Sequence, residues 1–289
     1  MNNRMMSVTA LFTLWLGGLM AGLAQAACLG DPNATRRHEV YVVPQLTPPV
    51  LLANWAPLLE QLGRQTGLCF ELRVAASIPD FERALLSGQP DFAFVNPYHA
   101  VMAKQTHGYL PLVIDSQQKL SGILMVRADS PIQSIRELEG QTIAFPAPNA
   151  FGASLLIRSQ LAQQGIRIQP KYVKTHANVY RAVILGDVLA GGGVNNTLKR
   201  ESPVVREQLR LLYETPGHAP HPFVAHPRVA EHLRETVITT LLKLGDNEAG
   251  HRMLDAIQIP SPMRADYARD FLPLESLQIE KFLVKNEKP

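Results

Sequence analysis

Residues 145–161 read FPAPNAFGASLLIRSQL. Two prolines, an Asn and a run of small residues lead into apolar positions at helical spacing, so a loop here delivers the chain into an amphipathic helix. The preceding QTIAFP reads as a strand, which makes the unit strand–loop–helix. A loop of this kind presents unpaired backbone N–H groups to whatever lies in front of it. An oxyanion site would be expected to place Ser or Thr in the turn, and this one carries Phe151.

The same unit recurs on both sides. DFAFVNPYHAVMAK runs from a buried strand through Asn96-Pro97 into a helix, and KYVKTHANVY brings Thr175, His176 and Asn178 to a helix start. A cap explains one of these three residues, not all. Upstream, HEVYVVPQL and CFELRVAA read as strands, LLANWAPLLEQLGRQTG and DFERALLSGQP as helices. Downstream, SGILMVRA is a strand, SIRELEG a short helix with capping-box spacing, and VLAGGGV a strand leading to Asn195. Residues 228–284 read mainly as helices. Alternation of this kind predicts α/β sheets with crossover helices, and ligands at the loops that follow the strands.

The N-terminus has Arg4, an apolar run over residues 10–24 and the small-x-small site Ala24-Gln25-Ala26. This is the layout of a secretory signal peptide cleaved after Ala26. The run is short of the ~20 residues of a spanning helix; a lipoprotein signal through Cys28 would need an aliphatic residue where Gln25 stands. A net charge of +3, spread along the chain, gives no nucleic-acid footprint. Two cysteines, Cys28 and Cys69, are the count for one disulfide in an oxidising compartment, or for two buried thiols.

Other motifs point to little chemistry. GGGVNN lacks the Lys-Ser/Thr ending of a phosphate loop and reads as a place of close backbone approach. His218, His221 and His226 form H-x2-H-x4-H in a Pro-rich loop, where three imidazoles could hold Zn or Cu, but a solvated loop accounts for them as well. There is no G-x-S-x-G elbow and no spacing that singles out an acid/base pair. Neither an enzyme, a resident metal nor a cofactor is expected.

DFAFVNPYHAVMA, GQTIAFPAPNAFGASLLIRSQL and THANVYRAVILGDVLAGGGVNNTL resemble, in order and spacing, the signature stretches of the phosphate/phosphite/phosphonate type of ABC-transporter substrate-binding proteins. The resemblance implies a type II periplasmic binding fold, two α/β lobes joined by two crossover strands with a ligand cleft between. It divides the chain into a signal peptide (1–26), lobe 1 (27–120), lobe 2 (121–213) and a mainly helical remainder of lobe 1 (214–289), with crossovers near 120–126 and 211–215. It implies a periplasmic monomer that gives a small anion to a membrane permease or, alternatively, reports it to a sensor kinase. His176 matches the family's S-H-D histidine. The hydroxyls of its P-N-S-T-S-G turn fall on Ala150, Phe151 and Gly152, and the Asp becomes Ala177. The expected site is Asn96, His99, Asn149 and His176 as polar groups, the Ala150 turn, walls from Tyr98, Phe151 and Tyr180, with Ser154 further into the helix and Asn195 at a strand end.

Overall fold

The computed structural model describes residues 28–284 except Gln278. The signal-peptide reading of residues 1–26 lies outside them. Among the described residues no helix is long and apolar enough to cross a membrane.

Among the described residues twelve strands form two sheets. The first contains β1 (Leu29–Gly30), β2 (Arg37–Val42), β3 (Cys69–Val74), β4 (Phe92–Phe94), β5 (Leu110–Asp115), β11 (Phe223–Ala225) and β12 (Pro262–Arg264), in the order β1-β3-β2-β4-β11-β5-β12. The second contains β6 (Gly122–Arg127), β7 (Thr142–Phe145), β8 (Gln169–Tyr172), β9 (Ala190–Val194) and β10 (Leu209–Glu214), in the order β10-β6-β9-β7-β8. β2 runs parallel to β3 and β4, and β7 parallel to β8 and β9, so helices must cross over between them. Those helices are α1 (Pro48–Thr66) and α2 (Ile78–Leu86) in lobe 1, and α4 (Ile157–Gln163) and α5 (His176–Ile184) in lobe 2, while α3 (Pro97–His107) leads from β4 to β5. α6 (Asn195–Lys199) and α7 (Pro203–Glu207) precede the return to lobe 1. α8 (Glu231–Leu244) and α9 (Glu248–Ala256) pack on α1, and α10 (Tyr267–Asp270) leads into 3-10 turns at Leu272–Leu277 and Ile279–Phe282.

The chain passes between sheets after β5 and returns after β10, and the two crossing segments pair at Leu120 and His218. This is a type II periplasmic binding fold. Three strands escaped the sequence reading, the two-residue β1 among them. β5 begins right after the α3 cap and carries Pro111, and β12 is a three-residue edge strand within a stretch read as helical.

The local chemistry explains the elements. α1 starts with prolines in its first turn and stops at Gly67, which takes the left-handed conformation at φ 71°. Lobe 1 is filled by aromatic rings from three elements: Trp55 packs on Phe94 at 5.1 Å and Phe223 stacks on Phe92 at 5.7 Å. Behind them Asp91, 4% exposed, accepts from Arg36 Nη2 (3.0 Å), His38 Nδ1 (3.2 Å) and Arg228 Nε (2.6 Å). Burial alone would raise the pKa of this carboxyl. The bonds from His38 and Arg228 and the charge of Arg36 outweigh burial and hold it at about 2.

Cys28 and Cys69 are bonded, with Cα atoms 5.4 Å apart across 41 residues, and join the start of the described chain to β3. Closing a loop of that length is worth about 4 kcal/mol by chain entropy. Reduction is therefore expected to lower the unfolding midpoint, by about 2–4 kcal/mol of stability in urea titrations with and without reductant.

Candidate functional site

Three strand-to-helix junctions converge between the lobes. After β4, Asn96 caps α3 by accepting from His99 N at 2.7 Å, which leaves its amide NH2 as a donor. After β8, Thr175 caps α5 by accepting from Asn178 N at 3.1 Å, and His176 follows. The third junction differs. Ala150 offers no side-chain cap, and the helix opens with a π turn over Phe151–Leu156 before continuing as α4. Ser154 N and Leu155 N both donate to Ala150 O, at 2.8 and 3.1 Å. The N–H groups of Phe151, Gly152 and Ala153 thus have no acceptor within the helix.

The turn that carries these N–H groups lines a cavity of about 20 Å³, enough for a water-sized group. Gln45, Asn96 and His221 line it from lobe 1, the Ala150–Ala153 turn and His176 from lobe 2, and Val43, Ile78 and Val194 fill the gaps. Among the described residues no Lys, Arg, Asp or Glu lines it. The lobes are closed on each other: the apolar core of lobe 1 continues without a break into Ala150, Phe151, Leu155 and Leu156. Close approach of the π turn depends on glycine. A Cβ on Gly192 of β9 would strike Ala153 O and the Phe145 ring, and one on Gly122 of β6 would strike Gly152 O.

Of the residues expected from sequence, Asn96, Ala150, Phe151 and His176 line the cavity. Phe151 is 2% exposed, stacks on Tyr98 at 6.3 Å and meets His218 edge-on at 5.7 Å. Tyr98 itself donates to Glu280 Oε1 at 3.0 Å, and the Glu280 carboxylate adds to burial in raising its pKa. His99 lies against Phe81 at 5.5 Å, fully buried, with neither ring nitrogen hydrogen-bonded. Ser154 is buried beside Arg158. Tyr180 lies behind His176, its hydroxyl 2.8 Å from Thr197 Oγ1. Asn195 holds the crossing segment, accepting from Ser121 N and donating to Lys119 O.

Asn149 points away from the cavity and ties the lobes from outside. Its Nδ2 donates to both Glu82 oxygens (3.0 and 2.9 Å) and to Val284 O, while Val284 N donates back to its Oδ1. Arg158 extends the same seam, donating to Phe282 O and covering the Phe282 ring at 5.6 Å.

Gln45, Ile78 and His221 were not singled out from sequence. Gln45 lies in the junction between β2 and α1, so the rule that located the other three loops would have found it. His221 stood within the H-x2-H-x4-H pattern, whose members separate in space. His221 stacks on Phe94 (5.4 Å), His218 packs on Phe151, and His226 packs on Tyr109 (5.0 Å). Among the described residues no group of three or more His, Cys, Asp or Glu is arranged to hold a metal ion.

Burial sets the electrostatics. It lowers His176 to about 4 and His99 to about 3. It lowers His221 to about 3 as well, with the fields of His99 and His176 adding. At neutral pH the closed site therefore offers donors and dipoles without a fixed charge, an arrangement able to orient a small anion between two lobes.

A two-lobed α/β molecule with helix starts and imidazoles converging on its interlobe cavity is a solute-binding protein of the periplasmic type. The family "ABC transporter, phosphonate, periplasmic substrate-binding protein" matches residues 40–270, and the chain belongs to it. Solved structures agree on the fold. A binding protein component of an ABC phosphonate transporter from Pseudomonas aeruginosa superposes with TM-score 0.74 at 16% identity, covering 84% of this chain and 85% of that one. The PhnD1 protein of Prochlorococcus marinus, solved with methylphosphonate, gives 0.75 at 15% identity over 83% and 96%. The aliphatic sulphonate binding protein SsuA of Escherichia coli gives 0.57 at 17% identity over 86% and 91%. No curated protein is significantly similar to the chain in sequence.

Proposed function

We propose that the chain captures a small phosphonate in the cavity between Asn96, His176, His221 and the Phe151–Ala153 turn, and delivers it without chemical change to the permease of an ABC transporter. The observation that carries this reading is the convergence of three uncapped N–H groups, the Asn96 amide and two imidazoles on one closed interlobe space. Backbone N–H groups at a helix start and a polarised imidazole suit the phosphonate oxygens. Phe151 stands where a hydroxyl would add a donor, and supplies an apolar wall for the carbon substituent. A ligand of several heavy atoms exceeds the present cavity, so entry requires the lobes to part and closure to follow. Signal-peptide cleavage after Ala26, action as a monomer and residence in the periplasm complete the reading.

The test is a thermal-shift series with methylphosphonate, ethylphosphonate, phosphite and phosphate. A ligand at a hundredfold excess over Kd adds about 2.7 kcal/mol of stability. Methylphosphonate is expected to raise the midpoint, and absence of a shift with every member of the series would overturn the reading. The wall makes a further prediction. Methylphosphonate should bind at least ~10-fold more tightly than ethylphosphonate, since one methylene in a filled pocket is worth about 1–3 kcal/mol. Phe151→Ala should abolish that preference in paired calorimetric titrations.

A further inference from the structure

The two imidazoles at the cavity carry the same tautomer but are held by opposite nitrogens, His176 through Nδ1 and His221 through Nε2. Thr197 Oγ1 donates to Val194 O at 3.0 Å and lies 2.8 Å from the Tyr180 hydroxyl, which donates to it. The same oxygen lies 3.4 Å from His176 Nδ1 and can only accept from it. His176 therefore carries its proton on Nδ1, and the nitrogen left for the cavity, Nε2, presents a lone pair. His221 is the opposite case. Gln258 Nε2 donates to Gln45 Oε1 at 3.2 Å, which orients the Gln45 amide so that its Nε2 donates to His221 Nε2 at 2.8 Å. The proton of a neutral His221 is then on Nδ1, ready to donate. A negatively charged ligand meets a donor at His221 and a lone pair at His176.

We infer that His176 takes up one proton as the anion enters, which turns Nε2 into a charged donor and supplies the positive charge that the site otherwise lacks. This rests on the phosphonate reading above and adds its regulation by pH. The groups around His176 favour no other source of charge. Its own helix brings Tyr180 and the exposed Arg181, α6 brings Thr197, and lobe 1 brings His221 and His99. Glu82 is engaged with Asn149, and Glu201 acts on Tyr180. Burial is the cause that holds His176 neutral in the empty site, so an anion at Nε2 reverses the balance. His221 feels the charge of both His99 and His176, so a charged His176 disfavours a second proton at His221. Thr197 and Tyr180 act as positioning residues that fix the tautomer.

The experiment is calorimetric titration of the mature protein with methylphosphonate near pH ~7 in two buffers of different ionisation enthalpy, which yields protons taken up per ligand bound. The same titration is made on His176→Gln, whose amide donates at the Nε2 position without titrating. The ligand's own protonation is common to both and cancels in the difference. The expected difference is about one proton, with the wild-type affinity gaining about tenfold relative to the variant for each unit fall in pH. Thr197→Val, which releases Nδ1 and permits the other tautomer, should keep binding methylphosphonate with less uptake. Equal proton counts in wild type and His176→Gln, or undiminished uptake in Thr197→Val, would overturn the inference while leaving the phosphonate reading intact. No binding heat from wild type in either buffer would overturn that reading, and this inference with it.

Discussion

Asp91→Asn is expected to destabilise the protein by about 3 kcal/mol, because it removes the negative charge shared by Arg36, part-buried Arg228 and buried His38. His38 is 3% exposed and the Arg228 guanidinium also donates to Gly88 O and Gln89 O, so neither can turn to water without disrupting the edge of lobe 1. Arg36 is largely exposed and loses little. The measurement is the urea midpoint of the variant against wild type at neutral pH. Asp91 precedes β4 and the cavity follows it, at Asn96, so the folded variant should still bind methylphosphonate with wild-type affinity. The pH dependence has a definite sign. The folded pKa lies below the unfolded value, so this contribution is complete above pH ~4 and is lost as the pH falls through about 2.

The second large effect works at the interlobe cavity and beside it, and at milder pH. His99, His176 and His221 are all held neutral by burial, at about 3, 4 and 3. The unfolded chain binds protons at these residues from about pH 6.5 downward, and the ligand-free fold does not. Stability must therefore fall as the pH drops below that value. Each imidazole contributes about 2 kcal/mol of loss by pH ~5, so three amount to about 6 kcal/mol. Denaturant titrations of ligand-free protein between these pH values should show the fall, and a triple His→Gln variant should show most of it removed. A stability profile flat over this range would mean that the three rings are hydrated or charged in the fold. Saturating methylphosphonate should reduce the loss, because one of the three rings is then stabilised in its charged form.

What could be read in the sequence was local. Asn96-Pro97 and Thr175-His176 declare helix starts through cap chemistry within four residues, and the loop over residues 145–150 does so through its prolines. The order of strands and helices carried the two-lobed fold for the same reason, since each strand–loop–helix unit is written in contiguous residues. The gaps are long-range. Gln45 meets His221 across 176 residues, and nothing near either one announces the other. By sequence Asn149 belongs with its neighbours in the turn. Its side chain is instead claimed by Glu82 and Val284, at separations of 67 and 135 residues. Tyr180 shows the same limit: its helix phase places it inward, but Thr197 in α6 determines that its hydroxyl supports His176 rather than facing the cavity. The edge strand β12 is three residues long, and its pairing with β5 comes from tertiary contact, not from any periodicity of its own.

The most direct test of the central claim is a crystal structure of the mature protein grown with methylphosphonate. The account predicts the phosphonate between the lobes, its oxygens within hydrogen-bond reach of the Phe151, Gly152 and Ala153 N–H groups, the Asn96 amide and His176 Nε2, with the methyl group against Phe151. A closed protein whose interlobe cavity holds no phosphonate, or a phosphonate bound elsewhere on the molecule, would contradict it.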